Sequence, residues 1–134
     1  MIVVDEQLLG TGVIEGIDHW YRGRVLDITE LRPGTVIKDD AIPDLLCRAR
    51  QSTFITINVT DFWERIRADE RYCVLCFPLP DCRASEIPGR LRHLFRLEEF
   101  KTKAIRMGKV ARVTSQRVEY YDLNHRHYML KWSM

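Results

Sequence analysis

Four short apolar runs punctuate the first 82 residues, and the stretches between them have helical spacing. The runs are Met1-Ile-Val-Val-Asp5, Arg24-Val-Leu-Asp-Ile28, Thr53–Asn58 and Tyr72-Cys-Val-Leu-Cys-Phe77. Near-continuous apolar runs of this length suit strands buried on both faces, as in a parallel sheet, whereas a half-wet strand alternates. From Glu6 to about Tyr21, residues Leu8, Leu9, Val13, Ile17 and Trp20 fall near one helical face despite Gly10, Gly12 and Gly16. Leu31–Thr35 reads as a turn. Asp40–Arg50 reads as a second helix, with Asp39 or Asp40 at its N-cap and Pro43 in the first turn, where a missing N–H costs little. A short third helix through Phe62, Trp63 and Ile66 is expected to be capped by Thr60 or Asp61. This alternation predicts an α/β fold with a central, mostly parallel sheet between helical layers.

The remainder changes character. Ile87-Pro-Gly opens a helix expected to run to about Lys103, and Arg106-Met-Gly108 ends it. Lys109–Thr114, Arg117–Tyr121 and His125–Trp132 then alternate apolar and polar residues, which predicts a small antiparallel extension. Residues 1–82 are the expected α/β core, and residues 83–134 a helix and antiparallel strands of the same single domain. Apolar and charged fractions of 46% and 30% suit a globular chain that is not disordered. No apolar run approaches the ~18 residues that span a bilayer. The opening residues lack the basic region of a signal peptide, so the expected location is cytoplasmic, with no membrane partner.

Cys47, Cys73, Cys76 and Cys82 fit that compartment as free thiols. Cys73-x-x-Cys76 has the spacing of a redox or zinc motif, yet it falls within an expected strand, where residues three apart face opposite sides. Both cysteines are therefore read as small core hydrophobes. His125-Arg-His127 places two imidazoles on one face of an expected strand without an evident third ligand, so a plain surface strand is the simpler reading. His19 and His93 stand alone. There is no Gly-rich phosphate loop and no Ser-His-Asp order.

Charge is unevenly divided. Residues 1–82 hold nine Lys/Arg against fourteen Asp/Glu, and residues 83–134 hold twelve against five. A solvated surface explains such a bias. So does a footprint for phosphates beside an acidic, metal-binding part. In the second reading Arg90, Arg92, Arg96, Lys101, Lys103, Arg106 and Lys109 face outward and contact RNA, while Leu91, Leu94, Phe95 and Leu97 pack on the sheet. Tyr120, Tyr121, Tyr128 and Trp132 stack on bases or fill the gap between hairpin and core.

Three carboxylates converge in the expected topology. Asp5 closes the first strand, Asp61 lies just beyond the third, and Asp39 (or its neighbour Asp40) begins the helix between them. Strand C-termini are where open α/β sheets gather ligands. Hard divalent cations take oxygen ligands and keep several waters, so a few carboxylates suffice. Asp39, Asp40 and Asp61 have a plainer reading as helix caps. Asp5 does not, because a carboxylate ending a buried strand needs a partner.

Three segments carry a family likeness. Met1-Ile-Val-Val-Asp-Glu-Gln-Leu, Lys38-Asp-Asp-Ala-Ile42 and Phe54-Ile-Thr-Ile-Asn-Val-Thr-Asp-Phe62 resemble the PIN-like nuclease domains. They are most similar to the small bacterial branch assigned to toxin–antitoxin pairs, akin to VapC-type ribonucleases. The resemblance covers roughly residues 1–80. It implies a three-layer PIN-like fold and a Mg²⁺- or Mn²⁺-dependent endoribonuclease with Asp5, Asp39 and Asp61 as catalytic and metal-holding acids. Glu6, Asp40 and Asn58 would be additional ligands. A homodimer and an antitoxin protein are the partners it implies. Asn58 stands where the family carries an aspartate, with one extra residue before Asp61. A catalytically silent PIN-like module that binds RNA or protein is therefore the alternative. A metal-dependent phosphatase of small molecules is a third.

Overall fold

The computed structural model describes residues 1–132. Seven strands form one sheet in the order β2-β1-β3-β4-β5-β6-β7. The strands β1 (Ile2–Val4), β2 (Val25–Asp27), β3 (Ser52–Thr56), β4 (Tyr72–Cys76) and β5 (Val110–Val113) are mutually parallel. The antiparallel end consists of β6 (Arg117–Tyr121) and β7 (His127–Lys131). The α/β class, the mostly parallel core and the antiparallel extension are thus as the sequence pattern predicts.

Strand alternation divides the core into two layers. Val3, Phe54, Val74 and Val110 lie in register across four strands. They pack with Leu45 and Leu46 of α2 (Ile42–Arg48) and Phe62 of α3 (Val59–Phe62). On the opposite face Val4, Ile55, Leu75 and Ala111 meet Val13 and Ile17 of α1 (Val13–Asp18) and Leu91 and Leu94 of α4 (Ile87–Leu94). Each fully buried aliphatic side chain contributes ~1.5–3 kcal/mol, so these two layers dominate stability. Cys73 belongs to one layer and Cys76 to the other. Burial pushes both thiols up to about 12, which makes them inert packing groups, as the strand reading requires.

Several element boundaries differ from the sequence expectation. The helix expected over Glu6–Tyr21 is a 3₁₀ turn at Glu6–Leu8 followed by α1. Gly10 and Gly12 adopt left-handed backbone (φ +77° and +84°), which interrupts the helix. Gly16 does continue in α1, for a steric reason: a Cβ there would lie 2.6 Å from Pro88 Cγ of α4. The helix expected to reach Lys103 stops at Leu94 because the chain turns to bury Phe100. A separate α5 (Lys103–Arg106) then starts where Thr102 Oγ1 accepts the Ile105 N–H. His125 lies in a turn with φ +58°, so only His127 belongs to β7, although both rings approach Tyr121.

The strand order places β2 and β3 on either side of β1. The connections therefore leave in opposite directions, α1 covering one face and α2 the other. The C-terminal ends of β1 and β3 flank the resulting crevice, the position at which doubly wound sheets bind ligands.

Candidate active site

Asp5 sits at that switch point. It directly follows β1, is buried, and its N–H donates to the Ile55 carbonyl at 2.9 Å. Burial pushes its carboxyl above the ordinary value. The Thr56 hydroxyl works against that by donating to Asp5 Oδ2 at 2.6 Å, as do the Glu6 and Gln7 amides. Glu6, exposed next to it, adds like charge. Asp5 is thus held half-compensated in the crevice.

Asp39 lies in a 3₁₀ turn, Asp39–Ala41, leading into α2. No side chain caps that turn or α2, so the capping role expected for Asp39 or Asp40 is not filled. Ile42 and Pro43 start the helix without it, and both carboxylates remain free for other contacts. Asp39 and Asp40 line a groove of about 330 Å³ with Pro43, Asp61, Phe62, Arg65 and Ile66.

At α3 the cap is Asn58, in place of the expected Thr60 or Asp61. Asn58 Oδ1 accepts the Asp61 N–H at 3.1 Å, and its Nδ2 donates to Asp61 Oδ2 at 2.7 Å. The Asn58 N–H in turn donates to Thr56 Oγ1 at 2.9 Å. One chain of hydrogen bonds therefore runs from Asp5 through Thr56 and Asn58 to Asp61. The Asn58 carboxamide pulls the Asp61 carboxyl below its usual range, assisted by Asp39 and by the charge of Arg65. Asp39 moves the other way, raised by desolvation and then by the adjacent Asp61, with Asp5 and Glu6 adding to it. The two neighbouring carboxyls thus move in opposite directions, Asp39 up and Asp61 down, as expected for like charges side by side.

Asp39, Asp40 and Asp61 thus line one groove, and hydrogen bonds through Thr56 and Asn58 tie it to the buried Asp5, with Glu6 exposed beside Asp5. The donor set is entirely oxygen, which suits Mg²⁺ or Mn²⁺ over softer ions. Among the described residues, no three His, Cys, Asp or Glu side chains close on one point as a ready cage. An ion here would take one or two carboxylates and complete its shell with water, the usual Mg²⁺ arrangement.

Two contributors were missed by sequence reasoning. Thr56 sits at the end of β3 and is fully buried; it lies within the segment that carries the family likeness, but no role was assigned to it there. Arg65 is exposed and, among the described residues, is the one cation lining the acidic groove; it also lines two neighbouring depressions beside Trp63 and His127. A single arginine four residues after Asp61 was the only available signal.

Of the expected RNA-contacting cations, two are buried and two lie at the opposite end of the sheet. Arg90 is buried and donates to Glu86 Oε1 at 3.0 Å. Arg106 is buried with its guanidinium 3.8 Å from the Phe95 ring centroid, and Nη1 donates to the Phe100 carbonyl at 2.8 Å. Neither faces outward: Arg90 is tied back to Glu86 at the start of α4, and Arg106 staples the return from α4 to β5. Arg92, Arg96 and Lys101 are exposed. Lys103 borders Met1, Arg24 and Gln51, which precede strands, and Lys109 directly precedes β5. Lys103 and Lys109 therefore occupy the edge opposite Asp5. The basic segment descends from the acidic crevice because α4 carries the chain back across the sheet between two parallel strands.

No family model, curated protein or solved structure matches the chain.

Proposed function

We propose that the chain is a metal-dependent endoribonuclease of the PIN-like type. The observation that carries this reading is the groove lined by Asp39 and Asp61, tied through Asn58 and Thr56 to the buried Asp5 at the β1–β3 switch point. Asp5 and Asp61 are the acids that would hold Mg²⁺ or Mn²⁺. Such an ion supplies charge neutralisation at a phosphate and a more acidic water. Thr56 and Asn58 fix the two carboxylates in place. Asp39, raised above its ordinary range at the edge of the groove, is the group that would give a proton to a leaving oxygen. Arg65, beside Asp61, orients the phosphodiester. As a toxin, the chain would be masked by an antitoxin covering the Asp39–Asp61 groove.

The test is cleavage of end-labelled single-stranded RNA with Mn²⁺, with chelator, and by Asp5→Asn and Asp39→Asn. Metal-dependent cleavage that falls at least ~100-fold in both variants is expected, the usual scale for a lost acid–base group.

A second reading is a silent PIN-like module that binds RNA or protein. The Asn58–Asp61 pair favours it, since the carboxamide occupies an oxygen that a metal would need. RNA binding insensitive to chelator, with no cleavage, selects it.

A further inference from the structure

On the sheet edge opposite the acidic crevice, three cationic side chains from three elements surround one depression. Arg24 precedes β2, Arg50 lies in the turn between α2 and β3, and Lys103 opens α5. With Met1 and Gln51 they line a depression of about 330 Å³. All three cations are exposed, and among the described residues no carboxylate lines the depression. Among the described residues none of the three has an ion-pair partner. This sets them apart from Arg71, Arg83, Arg90, Lys101 and Arg117, each of which has an acidic neighbour. The crowding is felt at the Met1 amine, which is held down to about 6 by burial first and then by Lys103, Arg106 and Arg24. Grouped like charges without a counter-charge repel one another, and a bound anion relieves the repulsion.

We infer that this depression binds a phosphate group, free or carried on the end or backbone of an oligonucleotide. Arg24 and Arg50 offer planar forks that match phosphate oxygens, and Lys103 offers a compact point charge. Gln51, in left-handed backbone with φ +48°, adds a neutral donor between Arg50 and the start of β3. A lining free of acids excludes a metal cation or a basic peptide as its ligand. The site stands apart from the acidic crevice by the length of the parallel strands, five residues in β3, or ~16 Å. It does not depend on the nuclease reading.

The experiment is an amide NMR titration of the full chain with three probes at constant ionic strength. They are inorganic phosphate, a 5′-phosphorylated tetranucleotide, and the same tetranucleotide with a 5′-hydroxyl. Saturable shifts at Arg50, Gln51 and Lys103 are expected. They should weaken about tenfold in Arg50→Gln and in Lys103→Gln, the effect of losing one charge-assisted contact. Asp61→Asn should leave them unchanged. Saturation by phosphate and by the 5′-phosphorylated probe assigns a terminal phosphate. Saturation by the 5′-hydroxyl probe assigns a backbone phosphodiester. Shifts that grow linearly with every probe, or that persist at full strength in both variants, overturn the site. Both substituted side chains are exposed, and superimposable spectra away from the depression verify that the variants fold.

Discussion

Thr56 Oγ1 donates a 2.6 Å hydrogen bond to Asp5 Oδ2, joining the ends of two parallel strands at the point where the strand order reverses. The same oxygen accepts the Asn58 N–H, so one hydroxyl fixes the buried acid and the start of α3 together. Thr56→Val keeps the shape and removes both contacts. It is expected to cost ~1–3 kcal/mol, the penalty for a buried polar group left without its partner. Thr56→Ser should recover most of the loss. Urea denaturation at pH 7 measures both variants; equal stability of wild type and Thr56→Val would show that the bond contributes nothing.

Asp5 gives a pH signature. Its folded-state pKa is raised, so between the ordinary carboxylate value and that raised value the folded chain holds a proton that the unfolded chain has lost. The contribution of Asp5 to stability is therefore complete in acid and declines as pH rises through this window. Each unit of displacement is worth about 1.4 kcal/mol. Asp5→Asn should remove this decline, so the variant gains on wild type as pH increases from 4 towards 7. Tm measured across that range checks the sign. A variant that loses ground as pH rises contradicts it.

Asn58→Asp addresses the pairing with Asp61. An aspartate retains the oxygen that accepts the Asp61 N–H, yet it replaces the donor 2.7 Å from Asp61 Oδ2 with a like charge. Without metal the variant should melt below wild type. With millimolar Mn²⁺ its Tm should rise further than that of wild type, because two facing carboxylates attract a hard cation. A Mn²⁺ response no larger than that of wild type argues against a cation site at this edge.

Gly16→Ala tests the α1–α4 crossing. Alanine improves helix propensity by up to ~1 kcal/mol. The added Cβ, however, meets the Pro88 ring at 2.6 Å, and overpacking costs ~1–3 kcal/mol. The steric effect should prevail and lower Tm. A higher Tm would mean that the helices separate freely.

Much of the fold was written locally. The apolar runs around Val3, Phe54 and Val74 are too continuous for one-sided strands, and each precedes a stretch with helical spacing. That pattern dictates parallel strands under helices, because short buried strands must pair to satisfy their backbone groups. Cys73 and Cys76 were legible for the same reason, since the twofold period of a strand places them in different layers. Helix ends were less legible. Gly10 and Gly12 break a helical pattern that Leu8, Val13 and Ile17 maintain, and the burial of Phe100 ends α4 nine residues before the spacing does.

By itself the sequence determined that Asp5 closes a buried strand and that an acidic stretch precedes a more basic one. It did not determine what faces what. Asp39 meets Asp61, and Arg65 joins them, only because the β2-β1-β3 order brings the start of α2 over the end of β3. Similarly, the basic segment was expected to flank the acids, yet α4 returns across the sheet and leaves Lys103 at the far edge with Arg24 and Arg50. Sequence spacing fixes the period within an element. Which ends become neighbours depends on strand order and crossover direction, and those are set by non-local packing.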